Sequence, residues 1–330
     1  MTALETLKSA LEASLTPSPT VIAIGLAICL LFPIFLHFIY TAGTSYTTLP
    51  SVLLIGPSGA GKTALLTLFE RGPLSEQEKP SAAVAQTHTS QVASSVELAV
   101  STDNGSPTSY RVDLDAAGAT AKKFLLVDTP GHPKLRGAAI AHLASANPTV
   151  KLSPSNPTGA SSSSSSTETS KSKLKALIFL LDAASLADSD SDALANTAAY
   201  LYDVLLTLQK RFHRRGGSRA PASVPVLVAA NKLDLFTALP AALVKSQLEA
   251  ELGRIRKTRS KGLLDSGVGT DDIMGAAAGE EVEWLGDHGS DKFRFEQMME
   301  FDIEVEVMGG NVVGEGPGAE KWWKWIGERV

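Results

Sequence analysis

The chain has 330 residues and a formal net charge of −5 at pH 7, which argues against nucleic acid as its main partner. Its length allows one large domain or two small ones. Cys29 is the single cysteine, so an internal disulfide is excluded, and this cysteine content fits a domain that faces the cytosol.

The first predicted element is an apolar helix close to the N terminus. The twenty residues from Val21 to Tyr40 contain no charged side chain, and at 1.5 Å per residue they match a hydrocarbon core of about 30 Å. We therefore predict a transmembrane helix over 20–41, with a short tail, 1–19, before it. A cleaved signal peptide is disfavoured, because such peptides begin with basic residues and have a shorter apolar core.

A glycine-rich loop follows the first predicted strand. Four apolar residues, Val52–Ile55, run into the pattern Gly-x-x-x-x-Gly-Lys-Thr, and a helical sequence comes next. In that context backbone N–H groups and the helix N terminus bind phosphates, the lysine reaches the β- and γ-phosphates, and the threonine holds Mg²⁺. A glycine-rich turn without a ligand is the alternative. The predicted ligands are Gly56, Pro57, Ser58, Gly59, Ala60, Gly61, Lys62 and Thr63.

A second motif on the phosphate side follows a strand further along the chain. Strands are predicted at 92–100, 110–115 and 123–127. Together these strands predict a hairpin of two antiparallel strands beside an otherwise parallel sheet. Asp128 directly follows the last strand, where a carboxylate can hold Mg²⁺, usually through water, opposite Thr63. Gly131 can donate its N–H to the γ-phosphate, a contact that exists only before hydrolysis, so this loop is expected to report which nucleotide is bound.

Strands alternate with helices along the rest of the chain, which predicts a doubly wound α/β sheet, mostly parallel, with one antiparallel edge strand. Further strands are predicted at 174–182 and 225–230 and in the last part of 293–307, and helices at 134–147, 192–212, 240–256 and 319–326. The Ser-rich stretch 153–173 cannot bury apolar area, so we expect a disordered insertion there. A second flexible insertion is predicted at the Gly-rich stretch 257–280. The tryptophans of the terminal helix are expected to pack on the sheet.

The motif Asn231-Lys232-x-Asp234 follows a buried strand and is expected to determine which nucleobase the site binds. A carboxylate at Asp234 can accept hydrogen bonds from the N1–H and the exocyclic amino group of guanine, whereas adenine has no such donor pair. The stem of Lys232 can cover the purine face. The motifs together select GTP over ATP. Because a triphosphate-binding domain belongs in the cytosol, we expect residues 48–330 there and the tail 1–19 on the other side of the membrane.

With these motifs in place, the sequence resembles a small GTPase of the Ras/Arf superfamily, and within it the β-subunit family of the signal recognition particle receptor. The resemblance is carried by the apolar span directly before the phosphate loop, by Asp-Thr-Pro-Gly-His at 128–132, by Phe179–Asp182 and by Asn231–Asp234. The stretch 293–297 and the Trp-rich terminal helix resemble the same family. The resemblance covers residues 20–330 apart from the two insertions.

The resemblance implies a single-pass protein of the endoplasmic reticulum membrane whose GTP-bound form recruits the peripheral α subunit of the receptor. It would contact the lipid bilayer and, through the α subunit, act indirectly on the ribosome and the translocon, without binding nucleic acid directly. Thr89 matches the Mg²⁺-binding threonine of the first switch, with Thr87 as the other choice. His132 stands where many GTPases place a water-positioning glutamine. The usual Ser-Ala pair near the base is absent, and Gly309 or Gly310 is expected to supply that backbone N–H.

Three interpretations of the function follow from these residues. The leading one is a membrane-anchored GTP-binding receptor subunit with slow or partner-dependent hydrolysis. A non-hydrolysing GTP-bound scaffold and an Arf-like anchored trafficking GTPase remain open as alternatives.

Overall fold

A computed structural model describes residues 5, 19–43, 49–71, 87–103, 106–107, 121–144, 149–151, 169–171, 173–188, 191–213, 224–265, 284–286, 292–314 and 318–330. The chain divides into two compact units, Met1–Thr47 and Thr48–Val330. Each unit is described by itself below.

The first unit contains one described helix, α1, which runs over Pro19–Gly43 and has Pro33 inside it. This helix includes the apolar stretch from Val21 to Tyr40 that was identified in the sequence. Its described apolar side chains are exposed: Ile22 is 58% exposed and Ile34 is 64% exposed. Among the described residues, no helix meets a criterion of length and apolarity for crossing a membrane.

Strands and helices alternate through the second unit. The strands are β1 Pro50–Ile55, β2 Ser94–Val100, β3 Thr102–Asp103, β4 Ser106–Pro107, β5 Lys122–Asp128, β6 Thr149–Lys151, β7 Thr169–Lys171, β8 Lys173–Asp182, β9 Val226–Asn231 and β10 Val305–Gly309. The α-helices are α2 Lys62–Arg71, α3 Arg136–Ala144, α4 Ala193–His213, α5 Ala241–Asp265 and α6 Glu320–Arg329. Short 3₁₀ helices lie at Pro133–Leu135, Ser185–Ala187 and Phe295–Phe301.

Six of the strands form one sheet in the order β10-β9-β8-β1-β5-β2. All neighbouring pairs are parallel except β2 and β5, which pair antiparallel. The prediction of a mostly parallel α/β sheet with one antiparallel edge strand is confirmed. The strand predicted at 110–115 lies outside the described residues. In this topology the carboxyl ends of β1, β5, β8 and β9 lie at one edge of the sheet, where ligands of such folds bind.

Two apolar layers cover the two faces of the sheet, because successive side chains of each buried strand point to opposite faces. Leu53 and Ile55 pack with α3, α4 and α5, whereas Val52 and Leu54 pack with α2 and α6. The tryptophans of α6 are buried as predicted, and the ring centroid of Trp323 lies 4.9 Å from that of Phe69 on α2. The C-terminal helix therefore closes one side of the core.

Two boundaries differ from the prediction. Helix α5 continues to Asp265, so the flexible insertion predicted to begin at 257 is wrong at its start. Tertiary contacts support the extra turns, because Arg259 pairs with Asp203 at 2.9 Å and lies 4.3 Å from the ring centroid of Tyr202.

The end of the predicted Ser-rich insertion also differs. Thr169–Lys171 pairs antiparallel with Thr149–Lys151, and Lys173 already belongs to β8. The remainder of this predicted insertion, 153–168 and 172, lies outside the described residues, as does the remainder of the second predicted insertion, 266–280.

Candidate functional site

The phosphate loop joins β1 to α2 at the carboxyl edge of the sheet. Lys62 begins α2 and is only 5% exposed, and its Nζ donates to the carbonyl oxygens of Gly56 at 2.9 Å and of Pro57 at 2.8 Å. Burial is the main cause that lowers the pKa of Lys62 from 10.5 to about 8. A buried cation held by two carbonyls beside a helix N terminus is arranged to receive an anionic phosphate.

The glycines of this loop are required by close approach of neighbouring backbone and side chains. A Cβ on Gly56 would collide with the carbonyl oxygen of Leu180 on β8. Gly61 has φ +98°, and a Cβ there would collide with Nδ2 of Asn231. The loop is therefore held against the ends of β8 and β9, which carry the base-side residues.

Thr63 and Asp128 face each other across the phosphate loop as predicted. The Thr63 hydroxyl donates to Oδ2 of Asp128 at 2.7 Å. Oδ1 of Asp128 is buried and has no hydrogen-bond partner among the described residues, and burial raises the pKa of this carboxyl above its usual value. A hydroxyl and a carboxylate are hard oxygen ligands, and a buried oxygen without a partner fits a bound cation, so this pair suits Mg²⁺.

The loop predicted to start the second switch packs directly on the phosphate loop. A Cβ on Gly131 would lie 2.5 Å from Nζ of Lys62, 2.7 Å from the carbonyl carbon of Pro57 and 2.7 Å from the amide nitrogen of Ser58. The side chain of His132 is oriented differently from that of a residue that positions the attacking water. Its imidazole is exposed, and Nδ1 accepts a hydrogen bond from the backbone N–H of Lys134 at 3.3 Å. The catalytic role of His132 therefore stays a prediction.

The two threonines predicted for the first switch, Thr87 and Thr89, line one pocket with residues of the phosphate loop. Thr87, His88, Thr89 and Ser90 share a pocket of about 230 Å³ with Ser58, Gly59, Gly61, Lys62, Thr63 and Gly131. Both candidate threonines thus reach the phosphate side of the site, and the choice of Thr89 over Thr87 as a Mg²⁺ ligand stays a prediction.

Asn231 connects the base side of the site to the phosphate loop. This residue ends β9 and is 3% exposed. Its Nδ2 donates to the carbonyl oxygen of Ala60 at 2.7 Å, and its Oδ1 accepts from the backbone N–H of Val312 at 3.0 Å. One side chain therefore ties together β9, the phosphate loop and the loop after β10.

Lys232 is held in place by a residue to which the sequence analysis gave no role. Its Nζ pairs with Oδ2 of Asp182, the last residue of β8, at 2.5 Å. The other oxygen of Asp182 accepts from the backbone N–H groups of Ala184 at 3.0 Å and Ser185 at 3.2 Å. Lys232 also has φ +66°, a left-handed backbone that turns the chain out of the strand. Asp182 lies opposite Asn231 in the register of β8 and β9. Lys232, the next residue, is therefore within reach of the Asp182 carboxylate.

The loop after β10 lies beside the base motif, but its contacts differ from those predicted. The N–H of Gly310 donates to the carbonyl oxygen of Ala230 at 2.9 Å, so it is not available for a base. Gly309, the last residue of β10, packs against Leu233, and a Cβ there would collide with that side chain. Its contact with the base stays a prediction.

Gly314 comes closer to Asp234, the carboxylate predicted to bind the base, than either predicted glycine. It has φ +86°, and a Cβ on it would lie 2.8 Å from Oδ2 of Asp234. Asn311 shapes this loop by donating to the carbonyl oxygens of Val313 at 3.0 Å and of Gly314 at 3.1 Å. An Asn and a Gly a few residues after a strand are the sequence signals that mark such a turn.

The sheet order, the phosphate loop, the Asp128 loop and the Asn231 motif together define a small GTPase of the P-loop class. A family model described as "Signal recognition particle receptor beta subunit" matches residues 47–151 and 162–301. The chain therefore belongs to the family of signal recognition particle receptor β subunits. This membership confirms the resemblance and selects it over the Arf-like alternative.

Named relatives agree with this assignment. The signal recognition particle receptor subunit beta of Saccharomyces cerevisiae is 29% identical over 218 residues, which are 65% of this chain and 61% of the relative. The mouse protein of the same name is 25% identical over 245 residues, which are 74% of this chain and 65% of the relative. The chain thus spans less than two thirds of the length of these two relatives.

Solved structures from Chaetomium thermophilum are more similar. The chain is 61% identical to SRb in a structure titled as an SRb-GTP/SRX complex, with a TM-score of 0.67 over 85% of this chain and 100% of that one. It is 57% identical to SRb in a structure titled SRb-GDP-Mg, with a TM-score of 0.60 over 87% of this chain and 100% of that one. Members of this family therefore bind guanine nucleotide and Mg²⁺.

Proposed function

We propose that this chain is the GTP-binding, membrane-anchored subunit of a signal recognition particle receptor, and that its GTP-bound form recruits the α subunit. The observation that carries the proposal is the assembled site, in which Lys62, Asp128 and Asn231 occupy the carboxyl edge of the sheet. A relative 61% identical to this chain has been solved as an SRb-GTP/SRX complex, which supports a GTP-dependent partner. Ribosome and translocon would be reached indirectly, through the α subunit.

In this proposal each part of the site has one task. Residues 56–63 bind the phosphates of GTP, and Asp234 binds the guanine edge. Thr63, Asp128 and Thr89 hold Mg²⁺, which neutralises charge on the phosphates. Gly131 reads the γ-phosphate.

Recruitment is tested by capture from detergent-solubilised membranes. Tagged full-length chain is loaded with a non-hydrolysable GTP analogue or with GDP, and co-purifying proteins are identified by mass spectrometry. We expect the receptor α subunit in the GTP sample and several-fold less of it in the GDP sample. A Thr63→Ala variant should lose the difference, because it lacks the hydroxyl for Mg²⁺. Equal capture in both nucleotide states would contradict recruitment by the GTP-bound form.

The membrane anchor is proposed from the sequence, namely the uncharged stretch from Val21 to Tyr40. The expected arrangement is a lumenal tail over 1–19, a span over 20–41, and a cytosolic GTPase domain over 48–330 in the endoplasmic reticulum membrane. Flotation of the full chain with lipid vesicles after an alkaline carbonate wash tests the attachment. A Leu30→Lys/Leu31→Lys variant should be washed off, because two charges at the centre of a span are costly. Recovery of the unaltered chain in the wash would refute the anchor.

A non-hydrolysing GTP-bound scaffold is the second candidate function. The exposed imidazole of His132 favours it, because its Nδ1 accepts from the N–H of Lys134 and is not available to accept from a water. Single-turnover assays with and without the α subunit separate the two candidates. Phosphate release that appears or accelerates with the α subunit supports the switch, and no release in either sample supports the scaffold.

A further inference from the structure

Arg136 connects the loop predicted to start the second switch to the body of the second unit. Of the seven residues from 132 to 138, the other six are exposed, whereas Arg136 is half-buried. Its guanidinium lies over the ring of Tyr200 on α4, with 4.3 Å between Cζ and the ring centroid. Within the stretch 132–138, this stacking is therefore the side-chain contact best placed to fix the switch against the core.

Tyr200 is a rigid platform for this cation. It is 1% exposed, and its ring meets the ring of Phe179 on β8 edge to face, with 5.7 Å between the centroids. Phe179 lies opposite Ile55 in the sheet, and Ile55 directly precedes the phosphate loop. Burial raises the pKa of Tyr200 to about 12, so the ring is neutral and attracts the guanidinium through its face.

Hydrogen bonds carry the position of Arg136 back to Gly131. The N–H of Leu135 donates to the carbonyl oxygen of His132 at 2.9 Å, and the N–H of Lys134 donates to Nδ1 of the same histidine at 3.3 Å. These bonds stabilise a short 3₁₀ helix that continues into α3 at Arg136. Gly131 comes just before this turn and packs on the phosphate loop. A shift of Arg136 is therefore expected to move Gly131 relative to that loop.

The stacked pair closes at a cost in hydrogen bonding. Nε of Arg136 and the hydroxyl oxygen of Tyr200 are both buried, and neither has a hydrogen-bond partner among the residues that the structure describes. A buried polar atom without a partner is unfavourable, and Nε would regain a hydrogen bond in water. The pair is therefore expected to open when other contacts no longer hold the switch in place.

The charge of Arg136 also acts on the phosphate loop. Burial is the main cause that lowers the pKa of Lys62, the carboxylate of Asp128 opposes this effect, and the charge of Arg136 adds to it. Arg136 and Lys62 thus repel each other while the switch is closed. An added phosphate charge beside Lys62 would offset this repulsion. A nucleotide with a γ-phosphate is therefore expected to favour the closed arrangement.

We propose that Arg136 and Tyr200 form a latch that holds the second switch closed on the phosphate loop and so favours GTP over GDP. This inference rests on the proposed function, in which Gly131 reads the γ-phosphate. GTP gains that contact only when the switch is closed, whereas GDP gains nothing from closure. A latch that raises the closed fraction therefore raises the affinity for GTP alone. Arg136 is in this sense a positioning residue that acts on the nucleotide through Gly131.

Variants of the two residues test the latch through the ratio of GTP affinity to GDP affinity. Arg136→Gln removes the cation and Tyr200→Leu removes the ring, and each should lower the ratio about 3- to 30-fold, the range of a cation–π contact. Tyr200→Phe keeps the ring and removes only a hydroxyl without a partner, so it should keep the ratio. Both affinities are measured with fluorescent nucleotide analogues on the full-length chain in detergent. A ratio that falls in Tyr200→Phe as far as in Tyr200→Leu would contradict stacking as its cause.

A second stacked pair on α4 supplies the matched control. The guanidinium of Arg259, on α5, lies 4.3 Å from the ring centroid of Tyr202, and no part of this pair belongs to the switch. Tyr202→Leu should lower the midpoint of urea unfolding as Tyr200→Leu does, because both rings are buried. Neither Tyr202→Leu nor Arg259→Gln should change the ratio. An equal fall of the ratio in the control pair would assign the effect to lost packing on α4 and overturn the latch.

Hydrogen exchange over residues 129–140, read by mass spectrometry at saturating nucleotide, reports closure directly. With a non-hydrolysable GTP analogue the unaltered chain should exchange more slowly here than with GDP, and Arg136→Gln should lose at least half of this slowing. A nucleotide difference that Arg136→Gln and Tyr200→Leu keep in full refutes the latch and leaves the GTP switch standing. Equal exchange of the unaltered chain with both nucleotides refutes the reading of the γ-phosphate, and the latch with it.

Discussion

Gly131 offers a sharp test of the proposal that the site distinguishes GTP from GDP. In this structure the residue packs on the phosphate loop, and an added Cβ would lie 2.7 Å from backbone atoms of Pro57 and Ser58. These two contacts are with main chain, so the loops themselves must separate to admit a methyl group. A Gly131→Ala variant is therefore expected to hold the second switch away from the phosphates.

The size of the effect follows from the contact that would be lost. A hydrogen bond from a backbone N–H to a charged phosphate contributes about 1.5–3 kcal/mol. Because 1.4 kcal/mol corresponds to a factor of ten, we expect GTP affinity to fall about 10- to 100-fold. GDP has no γ-phosphate, so its affinity should change by less than about 3-fold.

Gly137→Ala is the matched control for this variant. Gly137 lies in α3, six residues further along the chain, and a Cβ there meets no atom within 4 Å. Fluorescent GTP and GDP analogues would be titrated against both variants and the unaltered chain, with circular dichroism to show that all are folded. A Gly131→Ala chain that keeps the GTP preference of the Gly137→Ala chain would show that Gly131 does not read the γ-phosphate.

Three further predictions concern the base, the core and the buried lysine. Asp234→Asn should weaken GTP binding and favour xanthosine triphosphate; unchanged GTP affinity in competition assays would refute the base assignment. Trp323→Ala should lower the unfolding free energy in urea by about 3–5 kcal/mol, because this buried ring packs on Phe69 and Phe124; an unchanged midpoint would contradict that packing. For Lys62, burial lowers the pKa from 10.5 to about 8. The unfolded chain therefore binds more protons between these values, and nucleotide-free stability should rise with pH there by about 3 kcal/mol. A Lys62→Met variant should lack this rise, and an identical pH profile for both chains would contradict it.

Much of the nucleotide site could be predicted from the sequence because each of its motifs is local. The phosphate loop needs only a strand, two glycines and a helix start in succession, and the structure has β1 and α2 in those places. Asp128 and Asn231 each end a continuous apolar strand. Parallel strands then bring these ends to one edge, so the meeting of Thr63 with Asp128 follows from fold class and spacing.

The parts that the sequence did not reveal depend on contacts between distant segments. The pairing of Lys232 with Asp182 requires β8 and β9 to be neighbours in a definite register. Helix α5 continues past 256, where Arg259 contacts Asp203 on α4, whereas local composition after 256 favours a flexible loop. Neither the Lys232–Asp182 pair nor the length of α5 can be recognised from a short window of sequence.

Asn231 shows why the motifs of this site act as one unit. Its amide group contacts Ala60 in the phosphate loop and Val312 after β10, and it leaves no room for a Cβ on Gly61. A side chain of the predicted base motif thus also holds the phosphate loop in its observed conformation. The loop after β10 in turn places Gly314 beside Asp234. The predicted base motif and the phosphate loop therefore share one buried amide, and we expect a nucleotide that contacts both to stabilise the junction between β1, β9 and β10.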